Sequence, residues 1–114
     1  NWIMGVVRNE EPLPREEPDI PVPAAMFLGA RPNPFNPATE LVFSLARPAH
    51  GELVIFDMAG RRVRSFALEG LAAGEHQVIW DGRSDAGVAQ ASGSYVVQLR
   101  TDERIDSGRV TLIR

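Results

Sequence analysis

The chain has 114 residues, of which 44% are hydrophobic and 24% are charged, a size and composition typical of one globular domain and not of a multidomain enzyme. Fifteen acidic and twelve basic residues give a formal charge of -3, so no basic surplus exists to bind nucleic acid. The absence of cysteine excludes disulfides, thiolate metal sites and cysteine nucleophiles. No apolar run reaches the ~20 residues that span a bilayer, so we expect no membrane-spanning segment.

A short apolar run lies between Asn1 and Arg8, and residues 1–8 are called the N-terminal segment below. The run is rich in residues that favour strands, and a spacer of seventeen residues follows it. A spacer of that length excludes a tight hairpin, so the strand must pair far away in its own domain or in another chain, and the sequence leaves both options open. The residues of this predicted assembly strand are Trp2, Ile3, Met4, Val6 and Val7.

Residues 9–25 are predicted to form a proline-rich, acidic linker. Prolines at this frequency prevent a helix or a central strand and favour polyproline II, which extends by ~3.1 Å per residue. Residues 1–25 contain two Arg and five acidic residues, whereas residues 26–114 contain ten of each. The globular part therefore has little self-repulsion, which permits copies of the chain to associate closely.

Residues 26–114 are predicted to form an all-β, antiparallel sandwich of about seven strands, because short alternating apolar segments are separated by turn residues at roughly ten-residue spacing. No segment has helical periodicity, and the third strand of the series is apolar on both faces. Predicted strands cover residues 26–30, 40–46, 51–58, 61–68, 74–80 and 93–99, with a last strand after residue 104. The predicted core includes Leu41, Phe43, Leu53, Ile55, Val78, Trp80, Tyr95, Leu99 and Leu112.

Three aspartates, Asp57, Asp81 and Asp85, are candidate calcium ligands, with Asn33 or Asn36 as further oxygen donors. A calcium ion takes about six to eight oxygens, and the spacing of these residues follows no known calcium loop. We therefore favour turn-capping carboxylates over a metal site and expect no cofactor.

The sequence contains no group of residues with the spacing of a known catalytic site. His50 and His76 have no partners at metal-ligand spacing, and His76 is predicted to be a half-buried strand residue. The serines Ser84, Ser92 and Ser94 are not surrounded by a nucleophile-elbow motif. The chain is therefore predicted not to be an enzyme.

Three arginines, Arg61, Arg62 and Arg64, form a basic cluster on one predicted strand. Such a cluster could bind an acidic partner, but Arg on an exposed strand more often faces solvent and prevents pairing between sheet edges. We expect all three side chains to face solvent.

Four sequence blocks resemble a known family. They are Asn33-Pro34-Phe35-Asn36-Pro37 followed by Thr39, LVIFDMAGRRV over residues 53–63, GEHQVIWDG over residues 74–82, and ASGSY over residues 91–95. In this order and spacing they look like the C-terminal sorting domains of type IX secretion cargo, which are related to the immunoglobulin-like domain of the flagellar hook-capping protein. The resemblance covers about residues 26–114 and leaves the N-terminal segment outside the pattern.

The resemblance implies an immunoglobulin-like sandwich that is extracellular or on the cell surface and has no catalytic activity. It also implies that residues 109–114 are the C-terminal strand of the family, with which the chain is expected to end. The residues that match the motifs or support their turns and core are Asn33, Pro34, Phe35, Asn36, Pro37, Asp57, Gly60, Trp80, Asp81, Gly82, Gly93 and Tyr95.

Three functions remain as hypotheses. The favoured one is a secreted structural module that forms a homopolymer, either a filament or a surface array, when the N-terminal segment adds as a strand to a neighbouring copy. The second is a sorting or anchoring domain of a larger exported protein, with the secretion machinery as its partner. The third is an enzyme fragment or a carbohydrate-binding accessory module, and only Trp2 offers an obvious surface for stacking on a sugar.

Overall fold

The computed structural model describes residues 23–114, so the N-terminal segment and most of the linker lie outside the described residues. Those residues form seven strands and no helix, in agreement with the sequence pattern. The strands are β1 (Ala25–Arg31), β2 (Thr39–Leu45), β3 (Ala49–Phe56), β4 (Arg62–Leu71), β5 (Gly74–Trp80), β6 (Gly93–Thr101) and β7 (Ile105–Leu112). β1 therefore begins at the residue with which the predicted linker ends.

Two antiparallel sheets pack face to face. One has three strands in the order β1-β2-β5, and the other has four strands in the order β4-β3-β6-β7. All strand pairs within them are antiparallel, which confirms the predicted immunoglobulin-like sandwich of seven strands. Residues 23–114 include no helix that could span a membrane.

The core lies between the sheets, where alternate side chains of each strand point inward. The predicted core residues are buried, with the exception of Val78, which is only half-buried and packs against the core. The prediction for Val78 is wrong because β5 is an edge strand, so a neighbouring strand covers its inner side chains on one side only. Fully buried side chains include Leu41, Phe43, Leu53, Ile55, Trp80, Leu99 and Leu112.

Trp80 is the centre of an aromatic cluster at the end of β5. Its ring centroid lies 5.3 Å from that of Phe35 and 5.4 Å from that of Tyr95, the latter in an edge-to-face arrangement. The indole N–H donates to the Arg83 carbonyl at 2.9 Å, and the Tyr95 hydroxyl donates to the Ala91 carbonyl at 2.5 Å. Both buried polar groups are thereby satisfied, and burial raises the pKa of the Tyr95 hydroxyl.

The outer face of β3 explains why this strand is apolar on both sides. Val54 points away from the core and is nevertheless 0% exposed. On either side of it, Glu52 accepts from Arg62 at 3.1 Å and pairs with Arg100 at 3.7 Å, and Arg100 lies over the ring of Phe56. The aliphatic stems of such side chains cover apolar surface while their charged ends remain in water.

Candidate functional site: the two sides of the sandwich

One lateral side of the sandwich is formed by β1 and β7, and we call it the closed side. Residues 33–37 leave β1 and lie along β7, where the Phe35 N–H donates to the Thr111 carbonyl and the Ile113 N–H donates to the Phe35 carbonyl, both at 2.9 Å. Phe35 and Leu112 thereby form a short parallel bridge. The motif residues of this segment thus pair with the edge of β7.

Asn33 extends the same seal through its side chain. Its Oδ1 accepts from the Thr111 N–H at 3.0 Å, and its Nδ2 donates to the Arg109 carbonyl at 3.4 Å. Asn side chains in turns commonly bond to amides close in sequence. The partners of Asn33 instead belong to the last strand of the domain.

β1 seals the remainder of the closed side. The Phe27 N–H donates to Asp106 Oδ2 at 2.7 Å, so an outward-pointing amide of β1 is satisfied by a side chain of β7. The Phe27 ring lies directly on Gly108 and leaves no space there for a Cβ. On this side the chain itself thus occupies the Phe27 N–H of β1 and, along the end of β7, the Arg109 carbonyl, both backbone groups of Thr111 and the Ile113 N–H.

The opposite lateral side, formed by β4 and β5, is called the open side. Hydrogen-bonded and non-hydrogen-bonded pairs alternate along an antiparallel ladder. Next to β2, the Ala46 N–H donates to the Ala24 carbonyl at 3.0 Å, so the even-numbered residues of β2 direct their backbone groups toward β1. The backbone groups of residues 39, 41, 43 and 45 therefore point toward β5. Their β5 partners are Gly74, His76, Val78 and Trp80.

The other residues of β5 consequently direct their backbone groups away from β2. These are Glu75, Gln77 and Ile79, and all three are exposed. Within residues 23–114, no backbone hydrogen bond reaches this edge. An edge strand with unpaired N–H and C=O groups is a template for the addition of another strand.

The edge of β4 is covered along only half its length. The Asp85 N–H donates to the Val63 carbonyl at 3.0 Å, and Asp85 Oδ1 accepts from the Ser65 N–H at 3.2 Å. By the same alternation, the backbone groups of Ala67 point outward beyond this covered part, and a register shift follows Leu68. The loop that follows β5 thus protects the beginning of β4 and leaves its second half uncovered.

Polar contacts close both ends of the open side. At one end, residues 71–74 cross from one sheet to the other, and the His76 ring nitrogen bonds with the Ala72 carbonyl at 2.7 Å. At the other end, the Arg64 guanidinium lies 3.3 Å from Asp81 and 3.5 Å from Asp85. Between these ends the two edges do not pack on each other as β1 and β7 do.

Arg64 therefore differs from its two neighbours in the basic cluster. Its side chain is 27% exposed, against 81% for Arg61 and 51% for Arg62, and its guanidinium lies 4.7 Å from the centre of the Phe66 ring. The expectation that all three arginines face solvent is wrong for Arg64. It points inward because a bulge between Ile55 and Phe56 shifts the alternation of β4.

Apolar side chains line the open side between its two ends. Phe66 of β4 and Val78 of β5 both point toward the core, and both are only half-buried. Ile79, on the outer face of β5, is 56% exposed. The open side thus combines unpaired backbone with incompletely covered apolar side chains.

The structure separates the three candidate calcium ligands into two groups. Asp81 and Asp85 share the Arg64 guanidinium, whereas Asp57 binds Arg61 in the turn between β3 and β4. Asp57 accepts from the backbone N–H of Arg61 at 2.9 Å and from that of Ala59 at 3.0 Å. The Arg61 N–H, together with its guanidinium, holds the pKa of the Asp57 carboxyl below its usual range. In the part of the chain that the structure describes, no three His, Asp or Glu side chains are grouped for a metal ion.

The other candidate polar residues stabilise turns and strands. His50 accepts from the Gly70 N–H at 2.9 Å, and His76 is half-buried as predicted and stacks on Phe43. The hydroxyl of Ser84 accepts from the Val88 N–H. The polar atoms of His50 and Ser84 are thus engaged in hydrogen bonds to neighbouring parts of the fold.

Gly82 shows why its motif needs glycine. Its φ of 76° is in the left-handed region, and a Cβ there would lie 2.9 Å from the Arg114 guanidinium and 3.1 Å from the Pro37 carbonyl. Arg114 donates to the Gly82 carbonyl at 3.0 Å and to the Gln90 carbonyl at 2.5 Å. The last residue of the sequence thereby holds the loop that covers β4.

Further motif residues lie in exposed turns or at a strand start: Pro34, Asn36, Gly60 and Gly93.

The residue types of the sequence do not reveal that one side of the sandwich is closed and the other is open. Neither the seal of β7 by residues 33–37 nor the exposed edge of β5 is visible in the motif types, because both depend on which strands become neighbours. The polar side chains of Glu75 and Gln77 indicate a strand with one solvent-facing surface, which is a property that central and edge strands share.

Comparisons with known proteins agree with this architecture. A family model described as the FlgD Ig-like domain matches residues 33–104. The chain is similar to dimeric latent PorU from Porphyromonas gingivalis, with 20% identity and a TM-score of 0.57 over 74% of this chain and 9% of that chain. It is also similar to FlgD from P. aeruginosa, with 18% identity and a TM-score of 0.53 over 78% of this chain and 67% of that chain. The chain thus spans about 9% of the length of PorU, and no curated protein matches it.

Proposed function

The chain belongs to the FlgD Ig-like domain family, and we propose that it is a non-enzymatic structural module that assembles with copies of itself outside the cell or at its surface. In this assembly the N-terminal segment of one copy adds as a strand to the sandwich of the next copy. Strand addition derives affinity from main-chain hydrogen bonds and from pockets for alternate side chains. A head-to-tail contact of this kind builds a filament or array unless its rotation closes a ring.

The open side is the observation that carries this proposal. The chain occupies the edge of β7 with its own residues 33–37, but it leaves Glu75, Gln77 and Ile79 of β5 without backbone partners among residues 23–114. Proteins normally cover or blunt such an edge, because it would otherwise pair with other chains. The exposed edge is thus consistent with an acceptor site for a strand of another copy.

The sequence supplies a segment of suitable composition. Residues 2–7 are apolar at every position except Gly5, and a strand with this pattern is an aggregation hazard unless a partner buries it. The linker of residues 9–25 could span roughly 50 Å in the polyproline II conformation, which is longer than a small sandwich. One copy can therefore reach the next without distorting either domain.

Non-enzymatic character is supported by the way the polar residues are used. Asp81 and Asp85 both pair with Arg64, and His50 and Ser84 accept backbone N–H groups in the described domain. No pair of these groups is arranged as a nucleophile and a base. These side chains stabilise the fold.

Sedimentation of the full chain tests the proposal. We expect the wild-type chain to form large particles and the Met4→Asp variant to remain a folded monomer, because a charge at this position cannot be buried in a strand contact. Leu13→Asp is the matched control, since it places the same charge on an apolar residue of the linker, and it should assemble as the wild type does. Assembly of Met4→Asp at the wild-type level would contradict the proposal, as would a wild-type chain that stays monomeric at all concentrations.

A sorting or anchoring domain of a larger exported protein is the second candidate. Its support is the similarity to PorU, in which a comparable fold occupies 9% of a much longer chain. The two candidate functions differ in whether the domain directs a protein fused to it to the cell surface. Fusion of residues 26–114 behind an exported reporter would place the reporter at the surface of a bacterium with type IX secretion if sorting is the function, and would leave its location unchanged if assembly is.

A further inference from the structure

We infer that the acceptor site is the edge of β5, where residues 2–8 of a second copy add antiparallel, with Ile3 opposite Ile79 and Val7 opposite Glu75. This inference rests on the proposed function and specifies the site, the direction and the register of the strand that is donated.

The length of the free edge fits the segment. Glu75, Gln77 and Ile79 point outward at alternate positions, so they offer hydrogen bonds to three residues of an added strand. In the proposed register those residues are Ile3, Gly5 and Val7. The added strand then runs from Trp2 to Arg8 along the full length of β5.

Side-chain alternation decides which face of the segment turns inward. With Ile3 opposite Ile79, the side chains of Trp2, Met4 and Val6 point to the inside of the sandwich. They would cover Val78 and Phe66, which point inward on the open side and are only half-buried. On the outer face, Ile3 would cover Ile79, which is 56% exposed. A shift by one residue would place Gly5 opposite Val78 and leave this region uncovered.

Charge decides the direction of the strand. Glu75 and Glu69 lie at the end of the open side where β4 passes into β5, whereas Arg64 and Arg83 lie at the opposite end, near Asp81. An antiparallel segment brings Arg8 to the end with the two glutamates. A parallel segment would bring Arg8 to the end where Asp81 and Asp85 already pair with Arg64 and Arg83 lies close by, so the charges there are balanced and attract Arg8 less than the two glutamates do.

The remaining edges are less suitable as acceptors. β7 is paired with Phe35 and Asn33, and β1 bonds to Asp106. β4 offers a short regular edge around Ala67, since Asp85 occupies its beginning and a register shift follows Leu68. β5 is the described edge strand with the longest run of outward backbone groups.

Cysteine cross-linking tests this register, because the wild-type chain contains no cysteine. Full chains that carry Ile3→Cys are mixed with full chains that carry Ile79→Cys and are oxidised mildly. Directly opposed residues of a hydrogen-bonded antiparallel pair have Cα atoms about 5.5 Å apart, which a disulfide can bridge. We expect a mixed disulfide dimer to dominate. Ile105→Cys, on β7 and 60% exposed, is the matched control and should give no mixed dimer above background.

The outcomes separate this inference from the proposed function. A mixed dimer of Ile3→Cys with Glu75→Cys in place of Ile79→Cys would overturn the direction, and one with Ile105→Cys would overturn the acceptor edge, while both would leave strand donation standing. Absence of assembly by the wild-type chain would overturn the proposed function itself.

Gln77→Pro provides a second, independent measurement. It removes an N–H that points away from β2, a position where an edge strand tolerates proline, so the domain should remain folded by circular dichroism. We expect Gln77→Pro to lose assembly and the control Gln77→Ala to keep it. A folded Gln77→Pro variant that assembles normally would show that β5 is not the acceptor.

Discussion

The closed and open sides of the sandwich differ in how the chain treats an exposed sheet edge. On the closed side, residues 33–37 pair with β7, Asn33 bonds to two of its backbone groups, and the Phe27 ring fills the space over Gly108. On the open side, only the beginning of β4 is covered, by Asp85. The same seven strands thus produce one edge that excludes a further strand and one that can accept it.

Edge protection in this domain therefore depends on whether the topology brings a short segment beside an edge strand. A short motif outside the regular strands is enough to seal β7, whereas β5 lacks such a segment among the described residues.

Trp80→Ala should have the largest effect, because Trp80 is the residue that connects the two sides. Its ring contacts Phe35 of the closed side and Tyr95 of the core, and it is 0% exposed. Truncation should lower the free energy of unfolding by ~3–5 kcal/mol, measured by denaturant titration. A midpoint equal to that of the wild type would show that the cluster does not hold the sides together.

Gly108→Val should destabilise the closed side by about 1–3 kcal/mol, the usual cost of overpacking. The new side chain would meet the Phe27 ring, which leaves no space for a Cβ at this position. Ser107→Val is the matched control, since the neighbouring Ser107 is exposed, and its unfolding midpoint should stay near that of the wild type. Equal midpoints for the two variants would argue against tight packing of β1 on β7.

Asn33→Ala should cost about 1 kcal/mol, the typical net value of a side-chain hydrogen bond, and should unseal part of β7. The measurement is amide exchange at Thr111, which bonds to Asn33 Oδ1 and should exchange faster in the variant. Asn36→Ala is the control, since Asn36 has no hydrogen bond among residues 23–114 and should leave that amide unchanged. Unaltered exchange in Asn33→Ala would mean that backbone pairing alone seals β7.

Asp57→Asn should have the smallest effect at neutral pH and a distinct effect in acid. The pKa of the Asp57 carboxyl is lowered from its ordinary value of 3.8, chiefly by the Arg61 N–H. A lowered pKa in the folded state contributes stability that is present above the unfolded value and is lost as the pH falls through the folded value. Thermal unfolding below about pH 4 should therefore show a smaller loss for Asp57→Asn than for the wild type. Parallel pH profiles for both proteins would refute this role of Asp57.

The sequence was sufficient to predict the seven strands and most of the core, because alternation in segments such as β2 and β6 follows from the two-residue period of a strand. It was insufficient for Val78 and Arg64, whose environments depend on edge position and on a bulge in the ladder. It was also insufficient for Asn33, whose partner lies 78 residues away. Local residue types specify elements and turns, whereas the pairing of edges depends on long-range topology.

Amide hydrogen exchange on the two edges tests the central claim most directly. In the monomeric Met4→Asp variant, the amides of Gln77 and Ile79 should exchange rapidly, whereas those of Phe35 and Ile113, which are bonded on the closed side, should be protected. In assembled wild-type protein, Gln77 and Ile79 should become protected to a similar degree. Protection of Gln77 and Ile79 already in the monomer, or rapid exchange of both in the assembly, would contradict the account of an open side that accepts a strand.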